Sequence, residues 1–340
     1  MRGVCAVMIF YHHFPTSHPI TESFGDCCVA FFFMLSGFVL TRSRMLSADT
    51  AGPVKVSSKS LGRFMFKRLA RLYPLYFVTM LAAFALTKFS AGAKVYICDA
   101  AMVQTWIPLS DFYFSGNAPA WFVCDLMFFY CLFLGLERLL EDNLKKTIIC
   151  FAVAICVYLA IVCAIPAAYV HALVYVFPLM QLPCFVMGMI VARLYCWHSS
   201  QTQNILLKHG GLLLITALSV WVLMMFAYPL VPVRFSYASY WWPITAVLLI
   251  ALVNFERLQP QIFKSKLAML FVKFGDVSLS FYLLHWPLIN LYQTLLQKID
   301  ISLDPDLSSV ICLAIVMALA FPCNYLFEKI LYRRLVSAAA

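Results

Sequence analysis

Arg2, His12 and His13 stand in RGVCAVMIFYHHF, residues 2–14, a stretch otherwise suited to lipid. A guanidinium offers a planar fork of donors for anionic oxygens. An imidazole exchanges a proton near neutral pH. Both are costly in hydrocarbon, so an ionisable residue there is a candidate for function and usually faces a polar cavity. Arg2 and His13 are eleven positions apart. On an α-helix that is about 16.5 Å of rise and about 1100° of rotation, so the two share a face to within about 20°. His12 is turned by about 100° from that face and suits a structural role. Ordinary explanations stand beside the functional one. Arg2 can snorkel to a cytoplasmic surface, and His13 can be an interfacial or hydrogen-bonded helix histidine.

Composition sets the elements that hold these residues. Of 340 residues, 64% are hydrophobic and 12% charged, whereas soluble domains carry about 25% charged residues. The chain reads as an integral membrane protein, all-α, a polytopic helix bundle forming one domain over residues 1–335. Apolar runs near the length that crosses a bilayer fall at 1–15, 24–41, 72–88, 119–136, 147–165, 172–193, 210–228, 238–254, 277–297 and 307–328. The first apolar run lacks the small-residue site of a cleavable signal peptide. With both termini cytoplasmic, 21 of the 25 Lys and Arg lie inside, leaving Lys88, Lys94, Arg234 and Lys298 outside. This is the positive-inside pattern, and it explains the net charge of +10 without nucleic acid. It requires the weak run 95–107 not to cross. Residues 89–118 are then a long extracytoplasmic loop that can dip into the membrane, and loops of that length tend to be functional.

The thirteen cysteines sit mostly in spans without zinc-ligand spacing, and small apolar packing residues are the simplest reading. Cys27, Cys28 and Cys98 fall near the outer face, where a disulfide could form. No metal site is expected. The chain has no GxSxG, GxxxxGK[ST], HExxH or GxGxxG. Ten spans with intramembrane Arg and His would also suit a transporter or flippase of an anionic or lipid-linked substrate, but the paired broken helices of such folds are not evident.

Six stretches, in order, resemble the acyltransferase 3 family of membrane enzymes that acylate carbohydrates. They are RGVCAVMIFYHHF at 2–14, VAFFFMLSGFVLTR at 29–42, FMFKRLARLYPLYF at 64–77, PAWFVCDLMFFY at 119–130, FGDVSLSFYLLHWPLI at 274–289 and FEKILYRR at 327–334. The chain departs from the family in places. Arg2 directly follows Met1, Ala30 stands where an acidic residue is common, and Leu126 replaces a frequent glutamate, with Asp125 beside it.

The resemblance implies transfer of an acetyl group from cytoplasmic acetyl-CoA to a hydroxyl of a carbohydrate, which can be lipid-linked, at the plasma (inner) membrane. The donor's phosphates call for cations near the inner boundary: Arg2, Lys67, Arg68 and Arg71, with Tyr73 alongside. Lys67 and Arg71, at i and i+4, share a helix face. Topology and lipid headgroups explain the same cations. Attack by a neutral hydroxyl on a thioester calls for a general base, for which His13 is the candidate. A covalent acetyl-histidine relay is the alternative. His285 can line the same cavity or fix the Pro287 kink, and Asp125 can orient a histidine or pair with an arginine. Ser36-Gly37 suggests close helix packing. Trp121, Tyr73 and Tyr76 can stack on sugar or adenine, or belong to an interfacial belt. Glu328 is expected to pair with Lys329 or Arg333. His18, His171, His198 and His209 fall in or near loops and receive no role.

Overall fold

The computed structural model describes residues 1–15, 19–51, 58–142, 144–197, 209–258 and 265–339. His18 and His198 lie outside them. Among the described residues there is no β-strand. Seven helical segments are long and apolar enough to cross a membrane: Glu22–Leu46, Lys59–Leu86, Ala118–Leu140, Lys145–Ala164, Pro178–Cys196, Gly210–Leu230 and Pro305–Ala338. The other three expected spans coincide with helices Arg2–His13, Trp242–Leu258 and Ser278–Lys298. The protein is thus all-α and polytopic. Its first helix has 12 residues, about 18 Å of rise against about 30 Å of hydrocarbon.

The chain divides into two compact units, one of residues 1–28, 58–127 and 270–340, the other of 29–57 and 128–269. In the first, Ala6, Phe10 and Phe14 form one stripe of the N-terminal helix. The stripe packs on Phe281 and Ile289 of the Ser278–Lys298 helix and on Cys312, Val316 and Ala320 of Pro305–Cys323. The i, i+4, i+8 spacing buries that stripe and turns His13 to its flank.

The 89–118 stretch holds an 8-residue helix, Ala93–Ala100, whose rise of about 12 Å cannot cross a bilayer. It folds back along helix Ser58–Leu86: Tyr96 meets Phe84 edge-on at 4.6 Å, the Tyr76 hydroxyl donates to the Asp99 carbonyl at 2.8 Å, and the Tyr73 hydroxyl to that of Ala100 at 2.9 Å. From Phe84 to Tyr73 is about 16 Å of helix. Gly116 returns beside Phe84 with φ +55°. Any side chain there would be strained and would crowd the Phe84 ring.

In the second unit, Arg193 Nη2 meets Glu137 Oε1 at 2.5 Å, and Thr41 Oγ1 donates to Glu137 Oε2 at 3.1 Å. Glu137 is 0% exposed, so its charge is answered by a buried partner, as apolar surroundings require. Backbones of the Glu22–Ala51 and Pro178–Trp197 helices touch where Gly37 faces the Phe185 carbonyl and Gly188 the Met34 carbonyl.

All thirteen cysteines are free thiols. Cys27 and Cys28 bring their sulfurs to 3.8 Å, as neighbours on one helix, and no bridge to Cys98 forms. Glu328 pairs with neither Lys329 nor Arg333. It is buried, with Oε2 at 3.6 Å from Arg71 Nη2 and Oε1 accepting from Ser280 Oγ at 2.6 Å. The π-helical segment Asn324–Leu331 turns its side chain inward, away from the basic residues that flank it in sequence.

Candidate active site

The two neighbouring histidines of the first helix part company. His12 Nδ1 lies 3.0 Å from the Thr21 carbonyl, and its ring covers Gly25, so His12 fastens the helix end to the next segment. His13 turns to the Ser278–Lys298 helix, where His285 Nε2 approaches His13 Nδ1 at 3.2 Å. The Trp286 ring stands edge-on to His13 at 5.4 Å.

His13 Nδ1 also lies 2.9 Å from the Ile9 carbonyl, and His285 Nδ1 is hydrogen-bonded to the Tyr282 carbonyl. A carbonyl only accepts, so both Nδ1 atoms carry hydrogen. In neutral rings this leaves both Nε2 atoms bare. His285 Nε2 can then accept from His13 Nδ1–H, which is shared with Ile9, while His13 Nε2 keeps a lone pair that no side chain among the described residues engages. His285 is 0% exposed, whereas His13 is half-buried.

The backbone around His285 is pinned from the 117–119 turn. Pro287 has no N–H, so the Leu283 carbonyl four residues earlier loses its helical donor, and Asn117 Nδ2 takes that place at 2.8 Å. The Tyr282 hydroxyl donates to the Pro119 carbonyl. The Pro287 break is thus satisfied by Asn117, and His285 remains available to His13.

Asp125 is completely buried, with Thr105 as its polar neighbour. Neither carboxylate oxygen has a close hydrogen-bond partner among the described residues, so no histidine or arginine claims it. Gln104, Thr105 and Asn117 are likewise buried, placing a line of polar side chains on the folded-back segment. Nothing in the sequence singles these out as site residues, because each is an ordinary loop residue until the segment packs inside.

Of the cations, Arg2 packs beside Gly275, one helix length from His13. Lys67 is exposed, the Arg68 guanidinium lies 5.1 Å over the Phe64 ring, and Arg71 keeps its side chain 45% exposed while pairing with Glu328. Lys67 and Arg71 therefore keep positive charge open at the surface. The Tyr73 hydroxyl is occupied by Ala100, and its ring stacks on Phe77 at 5.7 Å. Tyr76 and Trp121 are buried, so neither offers an open ring face.

Asp99, between two spanning helices, accepts from Ser115 Oγ at 2.7 Å. Burial pushes its carboxyl from 3.8 up to about 7, although the Ser115 bond acts in the opposite sense. Unfolded, the group loses its proton near the usual value; folded, it holds the proton to about 7. Stability should therefore fall as pH rises from about 4 to about 7, by at most about 1.4 kcal/mol per pH unit, and level off above. Thermal midpoints of detergent-solubilised protein at pH 5 to 8 check this. The difference between wild type and Asp99→Asn should carry the slope, and parallel curves would refute it.

These helices form a polytopic membrane bundle. Residues 1–328 match the acyltransferase 3 family, described as an acyltransferase domain, and the chain belongs to that family. It is similar to the acyltransferase MdmB of Streptomyces mycarofaciens, 32% identical over 114 residues, or 31% of this chain and 27% of that protein. The matched stretch thus spans about a quarter of that relative's length. No solved structure matches the chain.

Proposed function

We propose that the protein moves an acetyl group from cytoplasmic acetyl-CoA to a hydroxyl of an exported or cell-surface carbohydrate, at the plasma (inner) membrane. The reading is carried by one observation: the hydrogen-bond chain from the Tyr282 carbonyl through His285 to His13 leaves His13 Nε2 bare. That lone pair takes the acceptor's hydroxyl proton as the oxygen bonds to the acetyl carbonyl carbon. The carbon–sulfur bond then breaks, and the proton passes from His13 to the departing thiolate, so no proton is gained or lost overall. An imidazole is suited to both halves of this exchange.

Arg2, Lys67 and Arg71, with Arg68 held against Phe64, supply positive charge for the donor's phosphates, where guanidinium forks bind oxygens in pairs. The ring of Tyr73, rather than its bonded hydroxyl, is the part available to the donor. Thr105 and Asn117 give the folded-back segment polarity on the acceptor side, with Asp125 of the next helix facing Thr105.

Membranes containing the protein, incubated with acetyl-CoA labelled in the acetyl group, should transfer label to the carbohydrate fraction, whereas label in the CoA moiety should not transfer. Absence of acetyl transfer by correctly inserted protein would refute this donor.

A further inference from the structure

A histidine base must present a bare nitrogen to its substrate, and an isolated imidazole favours neither tautomer strongly. His13 does not stand alone. Its Nδ1 is bracketed by the Ile9 carbonyl at 2.9 Å and His285 Nε2 at 3.2 Å. The Tyr282 carbonyl fixes the hydrogen of His285 on Nδ1, so Nε2 faces His13 as an acceptor. The turn that presents His285 is itself held by Asn117 on Leu283 and by Tyr282 on Pro119.

Resting on the assignment of His13 as base, we infer that His285 is a positioning residue that, together with the Ile9 carbonyl, holds the tautomer of His13. By accepting from Nδ1–H it keeps the His13 hydrogen away from Nε2, the atom that meets the acceptor hydroxyl. As His13 gains a proton, the same acceptor steadies the imidazolium, because a hydrogen bond from a charged donor is stronger than one from a neutral donor. His285 does not touch the reacting atoms; Tyr282, Asn117 and Pro287 serve it by fixing its backbone.

The test compares the full chain with His285→Leu, His285→Gln and His13→Ala in nanodiscs. Leucine removes the acceptor but keeps apolar bulk. Glutamine can place its Oε1 where Nε2 stood. His285→Leu should lower kcat about 100-fold, as loss of an orienting partner does, with the KM for acetyl-CoA unchanged within about twofold. His285→Gln should restore most of that loss. Nitrogen-15 spectra of histidine-labelled protein, with the His13 signal assigned by its absence in His13→Ala, should show the Nδ1–H tautomer in wild type and His285→Gln. His285→Leu should shift that signal towards Nε2–H. Equal kcat in the leucine and glutamine variants, or an Nε2–H tautomer in wild type, would overturn the inference. Undiminished transfer by His13→Ala would instead overturn the base assignment. The tautomer signal needs no turnover, so the two failures are distinguishable.

Discussion

His13→Ala should lower acetyl transfer by about 10²–10⁴-fold, the usual contribution of a positioned general base, while the protein stays folded and still binds its donor. The packing of the first helix rests on Ala6, Phe10 and Phe14, none of which is altered. His13 is half-buried beside that stripe, so truncation removes little of the apolar contact. The cations assigned to the donor are at the other end of the helix or on Ser58–Leu86, and Arg2 is about 16.5 Å away along the axis. The loss should accordingly appear in kcat, with the KM for acetyl-CoA nearly constant, the pattern of an interaction made only in the transition state. Initial rates with labelled acetyl-CoA give both constants. A fall in donor affinity with kcat intact would move His13 from acid–base chemistry to donor binding. His12→Ala provides the contrast: its ring bonds the Thr21 carbonyl and covers Gly25, so its loss should act on stability before rate.

The sequence was most legible where helical periodicity alone decides geometry. The eleven-residue interval between Arg2 and His13 put them on one face, and their rotation from His12 separated the two imidazoles, which the structure sends to different neighbours. Apolar run length located the membrane helices, because the bilayer permits little else. Pairings across distant segments were not legible. Glu328 is flanked in sequence by Lys329 and lies near Arg333, yet its partners are Ser280 and Arg71, brought together only by folding. By sequence Asp125 suits an arginine or histidine partner, whereas in the fold it faces Thr105. Its neighbour arrives on a segment whose path along Ser58–Leu86 depends on bonds to Tyr73 and Tyr76. The Glu137–Arg193 pair is illegible in sequence for a related reason: each residue sits near an expected span end, where a charge needs no partner, and only their burial together gives the contact meaning.

Gly37 and Gly188 should show what the helix crossing requires, through a substitution that has opposite effects elsewhere in the chain. An alanine at either position adds one carbon where a carbonyl already stands: Phe185 for Gly37, Met34 for Gly188. The obstruction is backbone, so no rotamer change relieves it and the two helices must separate. Cys184 donating to the Ala30 carbonyl at 3.4 Å would be strained by the same movement. Each Gly→Ala change should therefore destabilise by about 1–3 kcal/mol, as overpacking does, and a leucine should prevent folding. Gly62 and Gly135 are also helical, but a Cβ at either meets nothing within 4 Å. There the same change removes backbone freedom from the unfolded chain and should stabilise by about 0.5–1 kcal/mol. Thermal midpoints of the four single variants in one detergent measure both signs. A common sign at all four positions would mean that glycine's flexibility, rather than the close approach of two backbones, governs these sites. Ser36-Gly37 showed half of this contact in the sequence through its small-residue pair. Gly188 lay unmarked within CFVMGMIVA, since the need for glycine arises only when the other helix arrives.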